Sequence, residues 1–565
     1  MIQFREEIVH RLAQIPGLSE KLVRPLLEKP ADPSYGEYAL PCFRLAREWR
    51  RRPNEIAEDL ARQLGSFGSI ASVESVGPYL NFKIDPLALT RSVLGEIGEK
   101  GPDYGSDKLG EGKTIVIDYS SPNIAKPFHM GHLRSTILGS SLKQIFSTLG
   151  YRVASINFLG DWGTQFGLLA LAYQKWGDNQ ELEARPIRYL YELYVKINQA
   201  AQEEPAIQEA ARENFRQMEE GAREPLDLWN RFRTLSIQEY ERVYSRLGVH
   251  FDVYSGESFY REKVQGVLEE LKAKGLLQLS QGASIVDLLP WGLNVALLAK
   301  SDGTTLYLTR DLAATHERYA EYRFHRLIYV VGSDQRLHFT QLFKTLELMG
   351  RPWADRCVHV DFGRILGMST RKGQAVFLDD VLDEGKRRAL EKMQANPEKF
   401  AEVADPDLTA DICGMSAIVF SDLSRRRVKD YEFDWEQVLA FEGDTGLYLQ
   451  NAHARVAGIM RKSGVALPSS IDYGLLLGEG ETLDLVRHLS AFPEVVHRAA
   501  EEYEPAFICT YLIGLARLLH QAYKALWVQG RPPPLAEARL KLLWSVKQVL
   551  ANGMRLLGMT PLERM

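Results

Sequence analysis

Two histidines three residues apart are the strongest candidates for chemistry in this chain. His129 and His132 lie in SSPNIAKPFHMGHLRSTILG, residues 120–139, which follows an apolar run and begins a predicted helix. A helix N-terminus favours anions, and two imidazoles there can donate hydrogen bonds to phosphate oxygens. Gly131, between them, has no Cβ and would let a flat base approach the backbone. The alternative is a pair of core or metal-binding histidines, although no third group of ligands lies nearby in the sequence.

A second candidate is the basic segment GMSTRKG, residues 367–373. It is short and bounded by glycines, and it combines two hydroxyl side chains with Arg371 and Lys372. A loop of this composition can move, and its cations can neutralise a triphosphate. The alternative is an ordinary solvated basic loop.

The elements around the histidines indicate a parallel sheet. TIVIDYS (114–120) is an apolar, β-branched run typical of a central strand, a helix is predicted at about 131–149, and YRVASINFLG (151–160) is a second strand. Strand, helix and strand in succession predict a βαβ unit. RLIYVVG (326–332) is a further buried strand, followed by a helix near 337–349.

The central region also contains segments of other kinds. Residues 174–247 read as mostly helical and resemble an insertion in the α/β domain, whereas residues 284–310 read as strands with a hairpin turn at Ser301-Asp302-Gly303.

The two ends of the chain differ from this centre. The first 108 or so residues mix helix and strand signals, with helices at 2–14 and at 54–64, the latter capped by Asn54, and a strand at 78–84. After about residue 435 the pattern is almost entirely helical, and 511–527 has the apolar spacing of a bundle helix.

Composition limits the class of protein. The 565 residues carry a formal net charge of −5, which excludes a uniformly basic nucleic-acid coat protein but allows a local basic face. The four cysteines form no CxxC pair and are interpreted as buried core residues in a reducing compartment. Without a signal-peptide pattern or a membrane-spanning apolar run, we expect a soluble cytoplasmic protein.

The motifs, taken in order, resemble those of arginyl-tRNA synthetases. HMGH resembles the HIGH motif of class I aminoacyl-tRNA synthetases, and MSTRKG resembles a variant of their KMSKS loop. Further strings resemble the arginyl family specifically: FLGDWGTQFG (158–167), YLTRDLAA (307–314), VVGSDQRLHF (330–339) and GMSTRKGQAVFLDD (367–380). DPSYGEYALP (32–41) looks like the family's N-terminal domain, and the C-terminal helices with LLGMTPLERM look like its anticodon-binding domain, so the resemblance spans essentially the whole chain.

The resemblance implies a site for ATP, with Mg²⁺ as part of the co-substrate and no zinc or tightly bound cofactor. His129 and His132 would stabilise the phosphates, beside Gly131, with Lys126 as a further contact. In the mobile loop the implied ATP-binding residues are Met368, Ser369, Thr370, Arg371 and Lys372.

The resemblance also implies a site for the substrate arginine. Its residues would be Asp118, Asn123, Tyr307, Asp311 and Gln335. A carboxylate binds a guanidinium bidentately, and two acids at the ends of predicted strands suit a substrate with both a guanidinium and an α-ammonium group. Taken singly, each acid could be a helix N-cap or part of a surface salt bridge, and Tyr307 could pack on a strand face.

Two positions depart from the family pattern. Gly367 stands where the loop usually begins with lysine, so Lys372, Arg371 or Lys126 would have to supply the missing charge near pyrophosphate. Asp118 is one methylene shorter than the glutamate that many relatives carry.

Contacts with tRNA are less visible in the sequence. Arg44 belongs to a basic cluster in the N-terminal region, and Arg425 and Arg426 to another before the helical region; such clusters suit phosphate contact or are simply solvated faces. Tyr448 is a candidate for stacking on an unpaired base, although aromatic residues at helical spacing are mostly core.

We therefore expect an α/β Rossmann-like catalytic domain at 109–435 with a helical insertion at about 174–285. An α+β N-terminal domain would occupy 1–108, and an all-α anticodon-binding bundle 436–565. The resemblance implies a monomeric arginine–tRNA ligase that forms arginyl-adenylate and transfers arginine to tRNA(Arg), with activation dependent on bound tRNA. The alternatives are another HxGH enzyme, either a different class I synthetase or a small nucleotidylyltransferase, and a non-catalytic RNA-binding protein derived from a synthetase.

Overall fold

The computed structural model of the chain describes residues 1–30, 32–301, 305–367, 377–478 and 480–565. Its Cα positions divide into two units. The first comprises Met1–Tyr104, Arg455–Pro493 and Ile513–Asn552, and the second comprises Gly105–Ala454, Glu494–Leu512 and Gly553–Met565.

The N-terminal part of the first unit mixes helices with a small sheet, as the sequence predicts. The elements are α1 (Ile2–Ala13), α2 (Glu20–Val23), β1 (Tyr38–Pro41), α3 (Phe43–Trp49), α4 (Pro53–Leu64), β2 (Ile70–Val76), β3 (Tyr79–Ile84) and α5 (Pro86–Lys100). The three strands are antiparallel in the order β1-β3-β2. The predicted N-cap of α4 is wrong: Arg52 is the N-cap, and Pro53 takes the first helical position, where its missing N–H costs nothing.

The second unit is built on a five-stranded sheet. Its strands are β4 (Thr114–Asp118), β5 (Arg152–Leu159), β6 (Val253–Gly256), β10 (Arg326–Gly332) and β11 (Cys357–Phe362). The order is β11-β10-β4-β5-β6, and every pairing is parallel. α6 (Met130–Thr148) connects β4 to β5, which confirms the predicted βαβ unit. Ile115, Val116 and Ile117 are buried, as expected of a central strand covered on both faces.

Between β5 and β6 the chain forms a run of helices: α7 (Thr164–Trp176), α8 (Asn179–Ala184), α9 (Pro186–Glu203), α10 (Pro205–Glu219) and α11 (Arg223–Arg246). The expected helical insertion at about 174–285 is therefore only partly correct. Val253–Gly256 is an edge strand of the main sheet, because it pairs with β5, and the helices form the connection that leads to it.

A second sheet follows the short edge strand. α12 (Val264–Ala273) precedes β7 (Leu277–Ser280), β8 (Ala283–Asp287) and β9 (Val295–Ala299), which are antiparallel neighbours. The predicted strand reading of 284–310 is wrong at its end, because Tyr307–Tyr322 forms a helix, α13. Part of the predicted hairpin turn, Asp302 and Gly303, lies outside the described residues.

The rest of the chain is mostly helical. After β10 come α14 (Arg336–Leu348), β11, β12 (Ile365–Leu366), α15 (Leu378–Gln394), α16 (Pro397–Phe400), α17 (Pro406–Leu423), β13 (Tyr431–Glu432) and α18 (Trp435–Val438). The C-terminal helices are α19 (Gly446–Ser463), α20 (Gly480–Ser490), α21 (Phe492–Glu501), α22 (Ala506–Ala522) and α23 (Pro533–Leu556). The predicted helix at 511–527 begins five residues earlier and ends at Ala522.

All four cysteines are buried, as the sequence analysis expects. Burial raises the pKa of the Cys42, Cys357 and Cys413 thiols to about 12, and raises that of Cys509 well above its ordinary value. These side chains are part of the hydrophobic interior.

Candidate active site

The two histidines of the HxGH motif lie at the start of α6, as predicted. His129 is the N-cap, and its Nδ1 accepts a hydrogen bond from the Gly131 N–H at 3.0 Å. Nδ1 of His132 accepts from the backbone N–H of His129 at 3.2 Å. The ring centroids are 4.0 Å apart. Side-chain capping of free N–H groups explains why the helix starts here.

These bonds determine which ring nitrogens can act. Because Nδ1 accepts in both rings, the neutral side chains carry their protons on Nε2, where each can donate to a ligand. Desolvation lowers the pKa of His129, and burial lowers the pKa of His132 well below its ordinary value, with the charges of His129 and Lys126 adding to the effect. Both imidazoles are therefore neutral hydrogen-bond donors near pH 7.

Gly131 and Lys126 complete this end of the site. A Cβ on Gly131 would lie 2.8 Å from Cε1 of His129, so the glycine also makes room for the histidine ring. Lys126 is half-buried, with Nζ 5.7 Å from the centre of the Tyr194 ring, and burial lowers its pKa. Its ammonium group is less hydrated than that of a surface lysine, and this loss of hydration strengthens its attraction for an anion.

Asp118 lies at the carboxyl end of β4, as predicted, but it already has a cationic partner. Its Oδ2 is 2.7 Å from Nη2 of Arg318, and its Oδ1 accepts from Ser121 Oγ at 2.9 Å. Both members of the ion pair are buried. Burial raises the pKa of Asp118, Arg318 opposes that shift, and the charge on Asp311 adds to it. Asp118 and Asp311 are thus close enough to interact.

Asp311 occupies a helix, not the end of a strand. It lies in the second turn of α13, and its Oδ2 is 2.6 Å from Nε2 of His338 on α14. The strand prediction failed because Tyr307-Leu308-Thr309 has β-forming residue types, whereas Leu308, Leu312 and Thr315 are buried at helical spacing. Within the described residues, no lysine or arginine lies within ion-pair distance of Asp311.

The other predicted arginine ligands lie on three separate segments of the second unit. Tyr307 begins α13 and is 62% exposed. Burial of its phenol raises the pKa, and the nearby charge of Glu257 adds a smaller rise. Gln335 is exposed at the end of the short turn after β10, three residues before His338. Asn123 is exposed in the loop after β4, and a Cβ on Gly160 would overlap its Oδ1.

Sequence reasoning missed three ionisable residues of this region. Arg318 pairs with Asp118, His338 contacts Asp311, and Glu257, just after β6, lies 2.6 Å from Arg310 Nη1. Burial raises the pKa of Glu257 to about 7, and the charge of Asp311 contributes to the rise. Arg318 follows Asp311 by two helical turns, so a helical reading of 307–322 would have placed both on one face.

The basic loop is only partly described. Met368, Ser369, Thr370, Arg371 and Lys372 lie outside the described residues. Gly367, which precedes them, has a φ of +79°, a conformation that favours glycine over lysine. That geometry gives a local reason for the departure from the usual loop sequence.

The candidate tRNA-binding residues differ in their surroundings. Arg44 is exposed on α3, and Arg426 is 62% exposed with Nε 3.6 Å from Glu504. Arg425 is engaged inside the protein: it lies over the Tyr431 ring at 4.4 Å and donates to Ser421 Oγ at 2.9 Å. Tyr448 is half-buried on α19. Arg44 and Arg426 are the better placed for phosphate contact.

No cluster of three or more His, Cys, Asp or Glu side chains suited to a metal ion occurs in the part of the chain that the structure describes. None of the helices among those residues has the length and apolar character needed to cross a membrane.

Comparison with known families decides between the interpretations. The model described as "tRNA synthetases class I (R), catalytic domain" matches residues 98–435. The "Arginyl tRNA synthetase N terminal domain" matches 3–84, and the "DALR anticodon binding domain" matches 449–565. The chain belongs to the class I arginyl-tRNA synthetases. The matches to N-terminal and anticodon-binding domains exclude a small nucleotidylyltransferase.

Individual relatives of this synthetase agree along their whole length. The chain is 41% identical over 570 residues to the arginine–tRNA ligase of Halothermothrix orenii, with 100% of both chains covered. It is 43% identical over 574 residues to the cytoplasmic arginine–tRNA ligase of Saccharomyces cerevisiae, covering 99% of this chain and 94% of the relative. The solved arginyl-tRNA synthetase of Thermus thermophilus has a TM-score of 0.82 at 25% identity, covering 99% and 100%.

Proposed function

We propose that this arginyl-tRNA synthetase activates arginine at the carboxyl ends of β4, β5 and β10, between the α6 histidines and the acid Asp311. The observation that carries the proposal is which of the three nearby acids already has a cationic partner. Asp118 is neutralised by Arg318, and Glu257 is beside Arg310, whereas Asp311 has only His338 as a partner among the described residues. Asp311 is thus the carboxylate left for the guanidinium of a substrate.

The reaction has two steps. The carboxylate of arginine attacks the α-phosphorus of MgATP, which forms arginyl-adenylate and releases pyrophosphate. A hydroxyl of the terminal ribose of tRNA then attacks the arginyl carbonyl and releases AMP. Neither step needs a covalent enzyme intermediate, because positioning and charge stabilisation supply the catalysis.

The α6 end of the site would serve the phosphates. The Nε2–H groups of His129 and His132 would donate to oxygens that gain charge as pyrophosphate leaves, and Lys126 would contribute a positive charge. Lys372 and Arg371, with Met368, Ser369 and Thr370, would contact ATP from the loop. Their share matters because Gly367 lacks the usual lysine.

The acid end would serve the amino acid. Asp311 would bind the guanidinium, with Tyr307 as a neighbouring hydroxyl, and the amide side chains of Asn123 and Gln335 would hold the α-ammonium and carboxylate groups. Asp118 would not bind the substrate directly, because its carboxylate is already paired with Arg318. It would contribute through the electrostatic potential that its charge adds to the site and through the position of Arg318.

The remaining assignments concern partners and organisation. We place the N-terminal domain at 1–108, the catalytic domain at 109–435 and the anticodon-binding domain at 436–565, with tRNA(Arg) contacted by Arg44 and Arg426. We further propose a cytoplasmic monomer whose activation step requires bound tRNA. The named domain matches support the division into three domains, and the name of the cytoplasmic yeast relative supports the localisation.

The test is ATP–pyrophosphate exchange with each amino acid, with and without total tRNA. We expect exchange with arginine alone, and only when tRNA is present. Exchange without tRNA would remove the tRNA requirement but keep the site. In parallel, Asp311→Asn should raise KM for arginine by at least about 100-fold, since a charged pair is lost from a half-buried site, while KM for ATP changes little. An unchanged KM for arginine would overturn the assignment of Asp311.

A further inference from the structure

One face of α11 contacts the loop that carries part of the proposed active site. Three residues at steps of four along the helix, Ser236, Tyr240 and Tyr244, are each at most 1% exposed, and each forms a hydrogen bond with residues 120–126. The row begins one turn earlier with Arg233, whose Nε donates to Asp161 in the GDWG segment at 2.9 Å. Residues at this spacing share one face of a helix.

The loop that they contact has an unusual backbone. Ser120, Ser121 and Ala125 all have positive φ values, of 71°, 46° and 59°, although none is glycine. Left-handed conformations of such residues persist only where surrounding contacts impose them, and they concentrate at functional sites. The hydrogen bonds from α11 are contacts of this kind.

Tyr240 makes the most direct of these contacts. Its hydroxyl lies 2.7 Å from the carbonyl oxygen of Asn123 and 3.0 Å from that of Lys126, so one O–H group bridges both ends of the turn. One residue of that turn, Ala125, donates its N–H to Ser236 Oγ at 3.0 Å. The two α11 side chains thus bind the backbone N–H of the left-handed residue Ala125 and the backbone carbonyls on either side of it.

The tyrosine ring also reaches the histidine end of the site. Its centroid is 5.5 Å from that of Phe128, and the Phe128 ring stacks on His132 with centroids 5.3 Å apart. A single side chain on α11 is therefore connected to the backbone of Asn123 and Lys126 and, through one aromatic ring, to His132.

We propose that Tyr240 is a positioning residue for the activation step, with Ser236 as its partner: it holds residues 120–126 so that Asn123 and Lys126 keep their places relative to the α6 histidines. This inference rests on the proposed function, because Asn123 and Lys126 matter only if arginine and ATP bind there. It assigns to α11, outside every motif in the sequence, a role in the geometry of catalysis.

The test compares Tyr240→Phe with a matched control, Tyr104→Phe. Both tyrosines are buried, and each donates its hydroxyl to a backbone carbonyl; Tyr104 does so to Leu489 at 3.0 Å, in the other unit of the chain. Kinetics of arginine-dependent exchange are measured at saturating tRNA, together with the thermal midpoint of each protein. We expect Tyr240→Phe to lower kcat/KM for arginine and for ATP by about 10-fold, because small displacements of reacting groups are costly. KM for tRNA should be unchanged, and so should the kinetics of Tyr104→Phe.

Three possible results distinguish a failure of the proposed function from a failure of this inference alone. If the wild-type enzyme supports no arginine-dependent exchange, the proposed function fails, and this inference fails with it. If the wild type is active and Tyr240→Phe behaves like Tyr104→Phe, only the inference is overturned. If Tyr240→Phe does not fold, Ser236→Ala decides: a loss of kcat/KM for both substrates at an unchanged thermal midpoint supports the inference, and wild-type kinetics overturn it.

Discussion

At the scale of single residues, Gly160 leaves the space that the side chain of Asn123 occupies. It follows β5, and a Cβ at this position would overlap Oδ1 of Asn123, a proposed arginine ligand. Gly160→Ala should therefore displace the Asn123 amide and raise KM for arginine by about 10-fold, with a small effect on stability, because only the end of a side chain must move. Exchange kinetics and a melting curve check this. The control is Gly266→Ala on α12, because that glycine has an ordinary φ and open space around its Cβ position. Gly275→Ala would not serve, because the φ of Gly275 is +68° and alanine would be strained there.

Glu257 gives the amino-acid site a dependence on pH. Its pKa of about 7 means that it is mostly protonated at pH 6 and mostly charged at pH 8, adding negative charge near Asp311 as pH rises. KM for arginine should accordingly fall by about threefold to tenfold between pH 6 and pH 8, as expected for one added charge at a partly buried site. Steady-state kinetics across this range measure it. Glu257→Gln should flatten the profile, and an unchanged profile in that variant would refute the assignment.

At the scale of elements, Arg134 ties α6 to the segment before the basic loop. Its Nη1 donates to the carbonyl oxygens of Gly363 at 2.6 Å and Lys429 at 2.9 Å, and its Nε is 3.3 Å from Asp422 Oδ1. Arginine and aspartate are both buried. Ile365–Leu366, which pairs with Tyr431–Glu432, leads directly to residues 368–376.

Breaking this buried pair should be costly. Arg134→Met leaves Asp422 charged or forces it to take up a proton, so we expect a loss of about 3–5 kcal/mol. Thermal and urea denaturation measure the loss. Arg134→Met combined with Asp422→Leu should recover much of it, since a hydrophobic pair of similar volume avoids the uncompensated charge. A double variant as unstable as the single one would show that the backbone contacts to Gly363 and Lys429 dominate.

The sequence was most informative where structure is local. The strands at 114–118 and 326–332 and the helix between the first strand and 151–160 were predicted because their apolar patterns are complete within a few residues. Val253–Gly256 was missed because four residues carry too little pattern, and its strand conformation depends on pairing with β5, almost a hundred residues earlier. Asp118 and Arg318 are two hundred residues apart, so their ion pair was not visible in any motif.

At the scale of the whole molecule, a net charge of −5 means that tRNA must be bound by local basic surfaces. Arg44→Ala should weaken tRNA binding and reduce the slope of log K against log salt concentration by about 1, the effect of one lost phosphate contact. Binding titrations at several salt concentrations measure the slope. Arg91→Ala, another exposed arginine of the same unit, is the control and should leave the slope unchanged.

The burial of all four thiols has a practical consequence for observing this enzyme at work. Because burial raises the pKa of every one of these thiols, the native cysteines are shielded and react slowly with maleimide or iodoacetamide dyes. A cysteine introduced at Arg364, exposed just before the basic loop, would then be the one fast-labelling position on the native background. A single fluorophore attached there would test whether ATP changes the surroundings of residue 364.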